Sequence, residues 1–468
     1  MTALPTPAQA QFSEASRLMA QGERAGAETL LRQSVAQDPG FGEAIANLGW
    51  LREQAGDLDE AQLCYQRAVT LRPANLQIRL NLGALLLRRK QFVAAETVQR
   101  EAVVLAPDSP AAHSSLGMLL ACLHREAEAE HCYRSALALD PTYGKALFNL
   151  SYLLLRQGRM DEGWAAFEAR SHFSHLSAYF TCARWAGESL SGKTIVIGFE
   201  GGHGDMIQFC RYALLLREMG AREVAIVSQP ALATLLGRLL PAGGIRVIPA
   251  HGHVSPSDWD FWTPVMSLPF LCQRCSGNAG LPVYAPIPYL AADPVQQRVW
   301  AAQLPPACLH VGLVWRGNPE FENDADRSLP SLSALAPLGA VEAINFVSLQ
   351  KGAGQDEALA PPAGMALQPL GGQLQDFADT AALLANLDLV ITVDTAVAHL
   401  AGSMGVPCWV LLPDYRCDWR WQTGREDTPW YPGSMRLFRQ AAGGGWPDVV
   451  SRVTEELARW RDDKLAAG

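Results

Sequence analysis

Proline recurs every 34 residues through the first third of the chain, at Pro39, Pro73, Pro107 and Pro141. The same register holds small residues at Ala27, Ala61, Ala95, Ala129 and Gly163, and a second small column at Ala68, Ala102 and Ala136. The pairs Leu48-Gly49, Leu82-Gly83 and Leu116-Gly117 keep step, as do the rings of Tyr65, Tyr133 and Phe167. This period calls for a unit of two short helices. Small residues let the two approach closely, the ring fills the gap between them, and proline ends the second helix. One unit cannot bury its own apolar face, so successive units must stack into a solenoid.

The pattern resembles the tetratricopeptide repeat, at its period and with most of its signature positions. The resemblance implies about five units over residues 8–173, the first and last degenerate as caps. The residue before each Leu-Gly pair is Asn47, Asn81 or Ser115, and Asn149 holds the equivalent place. Polar side chains at this spacing on the first helices would form a ladder able to bind an extended peptide backbone. The plainer reading is that asparagine is simply common at this position.

Residues 174–192 break the period and read as a linker, and composition shifts with them. Eleven of the thirteen tryptophans lie from Trp185 onward. Short β-branched runs follow at Thr194–Phe199, Glu223–Gln229, Ile245–Pro249, His310–Trp315, Ile344–Gln350, Leu389–Val393 and Val406–Leu412. Helical patterns such as Ile207–Met219 and Phe377–Leu387 lie between several of them. Strands alternating with helices predict parallel, doubly wound sheets. The fold class expected is therefore an α-solenoid followed by two Rossmann-like α/β domains, 193–300 and 301–468. Pro282–Pro294 and Pro305-Pro306 would form the hinge, and the last helical pattern, Val449–Trp460, would pack back across the pair.

Composition excludes several classes. Lys plus Arg total 38 against 47 for Asp plus Glu, a net charge of −9, which lacks the footprint of a nucleic-acid binder. The uncharged run Thr395–Pro413 contains His399, Gly402, Gly405 and Pro407 and reads as a buried helix and strand, so no transmembrane segment is expected. The first residues have no basic stretch leading into an apolar one, and the ten cysteines are scattered. Both point to a reducing cytoplasm and free thiols. Cys272-x-x-Cys275, with His251 and His253 as conceivable partners, is too little to expect a metal site.

Two strand-to-helix turns carry the chemistry. In the first, IVIGF-EGGHGD-MIQFCRY, Gly201, Gly202 and Gly204 permit close ligand approach, and Asp205 opens a helix. Asp205 alone could simply cap that helix. In the second, LDLVITV-DTAVAHLAG, Asp394 and Thr395 suit an N-cap, and the helix start offers free donors to a phosphate. His399 could add a hydrogen bond to a phosphate or sugar oxygen, or be a packed helix histidine.

With these turns read alongside VWRGNPEFENDADRSLP, FVSLQKG and DWRWQTGREDTPWYPGSMRLFRQ, the region from about 190 to 465 resembles the GT-B glycosyltransferases of the heptosyltransferase family (glycosyltransferase family 9). It is most like bacterial forms fused to tetratricopeptide repeats, including flagellin glycosyltransferases. The resemblance implies a metal-independent, inverting transfer from a nucleotide-sugar donor, with no cofactor, to an acceptor protein recruited by the repeats. Asp205 matches the general base, Arg327 a contact to the donor phosphates, and Asp394, Thr395, Ala396 and His399 the phosphate-holding motif. Ala396 stands where heptosyltransferases often have glycine. Lys351 and Asn318, at strand C-termini, are further donor-side candidates, Lys351 being as readily a solvated loop residue. Trp419, Arg420 and Trp421 could stack on a base or sugar, or pack between domains. Arg316 has a plainer partner in Glu320 or Glu322. Two alternatives remain: transfer to a lipid-linked glycan, and a scaffold whose transferase fold has lost activity.

Overall fold

The computed structural model describes residues 5–171, 174–239, 245–250, 259–275, 287–306 and 309–467. The chain divides into two compact units, Met1–Leu153 and Leu154–Gly468.

The first unit is built from antiparallel helix pairs: α1 (Pro7–Ala20) with α2 (Arg24–Gln37), α3 (Gly42–Gln54) with α4 (Leu58–Leu71), α5 (Leu76–Arg88) with α6 (Phe92–Leu105), and α7 (Pro110–Cys122) with α8 (Glu126–Leu139). α9 (Gly144–Arg156) runs across the division between the units, and α10 (Met160–Phe167) belongs to the second. The columns read from the sequence are the packing columns: Ala27, Ala61, Ala95 and Ala129 are wholly buried, as are Ala68, Ala102 and Ala136. The glycine of the Leu-Gly pair is needed for close approach. A Cβ on Gly117 would stand 2.7 Å from the Tyr133 ring, and one on Gly49 3.0 Å from the Cys64 side chain. Side-chain caps at Asp57, Asn75 and Ser109 satisfy first-turn N–H groups of α4, α5 and α7.

The second unit holds two all-parallel sheets. The first has β1 (Ala183–Arg184), β2 (Thr194–Gly198), β3 (Glu223–Ser228), β4 (Ile245–Pro249) and β5 (Phe261–Pro264), ordered β1-β5-β2-β3-β4. The second has β6 (Leu309–Val314), β7 (Ile344–Ser348), β8 (Leu367–Gln368), β9 (Leu389–Val393), β10 (Cys408–Leu412) and β11 (Met435–Arg439), ordered β11-β10-β9-β6-β7-β8. Register sets Val196 beside both Ala225 and Trp262 in the first sheet, and Val311 beside both Phe346 and Leu389 in the second. The seven apolar runs are all strands. The four that the pattern did not announce are two-residue edges (β1, β8), a run ending in proline (β5) and one interrupted by arginine (β11).

The helices of this unit are α11 (His203–Phe209), α12 (Tyr212–Glu218), α13 (Pro230–Leu239), α14 (Leu268–Cys275), α15 (Pro294–Ala301), α16 (Asp324–Arg327), α17 (Phe377–Leu384), α18 (Ala396–Met404) and α19 (Trp446–Ala467). The helical pattern over 207–219 is therefore two helices rather than one. α19 buries Val449, Val450, Val453 and Leu457 against Val311, Leu313 and Ile391 of the second sheet. It covers its own sheet, so the expectation that it packs back across the pair is corrected. Of the expected hinge, residues 282–286 lie outside the described residues. Beyond them, Tyr289 and Leu290 donate backbone hydrogen bonds to the Ser403 carbonyl at the end of α18.

α10 is part of this α/β core. Trp164 is 1% exposed and meets Phe167, Phe209, Trp419 and Trp430 edge-on, with ring centroids 5.2 to 6.2 Å apart. Just beyond α10, Arg170 forms a two-bonded ion pair with Glu200 at 3.0 and 2.7 Å, both side chains at or below 1% exposure. Ser267 Oγ and the Met266 N–H complete the cluster. Loss of a buried Trp costs about 3–5 kcal/mol, and breaking a buried ion pair about as much. A chain beginning at Leu154 should thus remain folded and soluble, whereas one beginning at residue 174 should aggregate or melt about 10 °C lower or more. Differential scanning fluorimetry of the two truncations checks this, and equal stability would refute the fused-helix account.

Candidate functional site

Each sheet has one point where its strand order reverses, and ligands of doubly wound sheets bind outside the strand C-termini there. In the first sheet β2, β3 and β4 proceed one way while β5 returns to the other side of β2. In the second, β6, β7 and β8 proceed one way and β9 returns beside β6. The turn after β2 contains Gly201–Asp205, and the turn after β9 contains Asp394-Thr395. Both turns singled out by sequence therefore sit at switch points.

The first turn is shaped by glycine and held by Asp205. Gly201 has φ +71°, and a Cβ there would overlap the Asp205 carboxylate. Asp205 Oδ2 accepts the Gly202 N–H at 2.6 Å, reaching back over the start of α11 as a cap. Its other oxygen takes an ion pair from Arg420, whose side chain is 8% exposed. Arg420 also bonds Asp418 at 3.1 Å and, through Nε, the Gln208 amide oxygen at 2.5 Å, and it stacks on Trp419. Burial pushes the Asp205 carboxyl up, against the pull of Arg420 and the Gly202 N–H.

The second turn meets the first directly. A Cβ on Gly204 would lie 2.8 Å from His399 Cδ2 and 3.5 Å from the Ala396 Cα, so only glycine lets α11 and α18 touch at their first turns. No side chain caps α18. Thr395 holds the N-cap position, but its hydroxyl pairs with that of Thr392 at 3.0 Å, which corrects the expectation of an Asp394-Thr395 cap. His399 is buried at 5% exposure, shares a 2.9 Å hydrogen bond with the Tyr431 hydroxyl and stacks on Trp421. Burial and the charges of Arg420 and Arg211 keep its imidazole neutral. Asp394 is pushed up to about 6 by burial and by Asp418, opposed by Arg327.

The structure thus brings Asp205, Gly204, Asp394, Ala396, His399 and, through its charge on Asp394, Arg327 into one neighbourhood. Other residues serve elsewhere. Lys351 donates to the Leu374 carbonyl. Asn318 is exposed and closes a turn through the Glu320 N–H at 3.1 Å. Arg316 pairs with Glu357 at 3.5 Å and with the Pro330 carbonyl, not with Glu320 or Glu322. Trp419 and Trp421 are buried packing residues in this structure. Asn47, Asn81, Ser115 and Asn149 occupy the same turn of α3, α5, α7 and α9, each partly exposed, with Asn81 accepting from Gln77 at 2.8 Å. Cys272 is buried and Cys275 exposed, while His251 and His253 lie outside the described residues. Concavities of about 530 Å³ beside Gln303 and Gln368 and about 260 Å³ beside Glu426 and Arg452 include neither Asp205 nor His399.

Residues the sequence did not single out complete the site. Arg211, buried between the Tyr289 and Tyr431 rings, donates to the Tyr289 hydroxyl at 2.9 Å and the Trp430 carbonyl at 3.0 Å. Gln208, Tyr431 and the Arg170–Glu200 pair likewise gave no periodic signal. Only the density of charge and aromatics in DWRWQ hinted at Arg420.

Models of the tetratricopeptide repeat match residues 18–69, 46–110 and 132–165. Protein FlbA of Caulobacter vibrioides is 29% identical over 333 residues, 66% of this chain and 54% of that protein. The chain thus spans about half the length of this homologue, and the matched stretch is too long to be repeats alone. Among solved structures, MamA of Desulfovibrio magneticus RS-1 is 22% identical, covering 38% of this chain and 98% of that one, with a TM-score of 0.31. A thermophilic TPR protein of Thermus thermophilus is 24% identical, covering 36% and 95%, with a TM-score of 0.32.

Two outcomes test the geometry. Gly204→Ala forces apart two packed helix starts and should cost about 1–3 kcal/mol in chemical denaturation. A value within error of zero would mean that the contact is loose. Asp394 has a raised pKa, so its stabilising preference for the proton is present in acid and lost as pH rises through about 6. Asp394→Asn should therefore be more stable than the parent at pH 8, on the order of 1 kcal/mol, with the difference shrinking towards pH 4. Urea melts across that range decide it.

Proposed function

We propose that the second unit is a GT-B glycosyltransferase that moves a sugar, with inversion, from a nucleotide-sugar donor to a protein recruited by the tetratricopeptide repeats. One observation carries the reading. Two parallel sheets present their switch-point turns to each other, Gly204 against Ala396 and His399, with a carboxylate on one side and an uncapped helix start on the other.

The chemistry follows from that arrangement. Expelling a nucleotide from an anomeric carbon develops negative charge on a phosphate. The uncapped N–H groups of α18 and the guanidinium of Arg327 stabilise that charge without requiring a metal. Asp205, on the opposite turn, takes the proton of the attacking hydroxyl, and its raised pKa suits a general base. Attack from the face opposite the leaving group inverts the anomeric centre. Flagellin is the acceptor class that the resemblance to bacterial fused transferases suggests, and the partly exposed Asn47, Asn81, Ser115 and Asn149 are where an extended acceptor chain would be held.

A second reading, an inactive scaffold, is favoured by one feature: Asp205 is already engaged by Arg420 and by the Gly202 N–H. Purified protein incubated with UDP-, ADP-, GDP- and CMP-sugars and candidate acceptors, flagellin included, should release nucleotide. Asp205→Ala should lower turnover about 100-fold or more without weakening donor binding. No release from any donor would leave the scaffold, and undiminished turnover in the variant would remove Asp205 from the mechanism.

A further inference from the structure

We infer that Arg420 is a donor-binding residue, held by Asp205 until the phosphate of a nucleotide sugar takes its place. The inference rests on the transferase reading. Arg420 is nearly buried yet shared between carboxylates of two chain segments, Asp205 on the first turn and Asp418 on its own. Its Cζ lies over the Trp419 ring, 4.4 Å from the centroid, and a guanidinium is a planar fork suited to oxyanions. Its charge bears on Asp394 and on His399, so it lies within electrostatic reach of the start of α18.

Gln208 supplies an independent observation. Its amide oxygen accepts from Arg420 Nε, which fixes the orientation of the amide, because an amide nitrogen facing that donor would be repelled. The amide nitrogen is then buried without a hydrogen-bond partner among the described residues. That buried donor beside the Arg420 guanidinium lacks an acceptor of its own, and a phosphate oxygen arriving at Arg420 would supply one. Exchange of Asp205 for phosphate would at the same time release the carboxylate to receive a proton, linking donor binding to activation of the acceptor.

Competition makes the idea testable without knowing the sugar. Isothermal titration with CMP, UDP, ADP and GDP as probes compares the parent with Asp205→Asn, Arg420→Met, Arg420→Lys and the double variant Asp205→Asn/Arg420→Met. Removing the competing carboxylate should tighten binding of the preferred nucleotide about 3- to 10-fold in Asp205→Asn, a gain a purely structural ion pair would not produce. Arg420→Met should weaken it about tenfold or more, Arg420→Lys less, and the double variant should show no gain over Arg420→Met. Thermal melts report folding, and the Asp205→Asn and Arg420→Lys results decide the matter should Arg420→Met fail to fold. If the parent binds a nucleotide and Asp205→Asn binds it no tighter, the exchange is wrong while the transferase reading stands. If the parent binds none of the four, both fall together.

Discussion

Arg420 carries its charge in a site only 8% open to solvent, and the fold neutralises it with carboxylates from two directions, Asp205 and Asp418. A guanidinium withdrawn from water costs several kcal/mol unless charge and hydrogen bonds replace the lost hydration. The Gln208 amide oxygen and the Trp419 face supply the remainder. Because Asp205 and Gln208 lie on α11 and Arg420 follows β10, meeting this need ties the two sheets together at their switch points. The helix starts, the neutral histidine and the raised carboxyls all sit around this one cation.

Close packing sets the precision of that junction. Gly204 admits the edge of His399, and Gly402 admits the Tyr431 ring, whose atoms would stand 2.5 Å from a Cβ. α18 is therefore pressed between α11 on one side and Tyr431 on the other, and His399 is held through its Nδ1 and its stacked ring. A neutral, packed imidazole can donate or accept one hydrogen bond without bringing a second charge into a site already holding two arginines. Raised pKa values at Asp205 and Asp394 show that the fold tolerates unfavourable electrostatics here, as functional sites commonly do.

α10, which the 34-residue period counts as repeat, lies within the α/β unit. Trp164 and Phe167 of α10 sit in the aromatic cluster with Phe209, Trp419 and Trp430, and Arg170 grips Glu200 at the head of the glycine turn. Asp205 follows five residues after Glu200 in the same turn. The residues that position the candidate carboxylate therefore include some that the 34-residue period counts as repeat.

Local rules made much of this visible in the sequence. The columns at Ala27, Ala61, Ala95 and Ala129 announced helix pairs, since a buried repeat must keep small residues wherever helices touch. β-branched runs announced seven parallel strands, and the glycine turn and the Asp394-Thr395 turn stood out because strand-to-helix junctions have few chemical solutions. Other features carried no periodic trace. The Asp205–Arg420 pair spans 215 positions, and the Arg170–Glu200 pair joins what composition had divided at residue 174. Neither the hydroxyl that Thr395 turns towards Thr392 nor the unpartnered amide nitrogen of Gln208 follows from sequence spacing. Short-range order is written by neighbours along the chain. Which charges neutralise each other in a low-dielectric interior is decided only when distant segments are brought within a few ångströms.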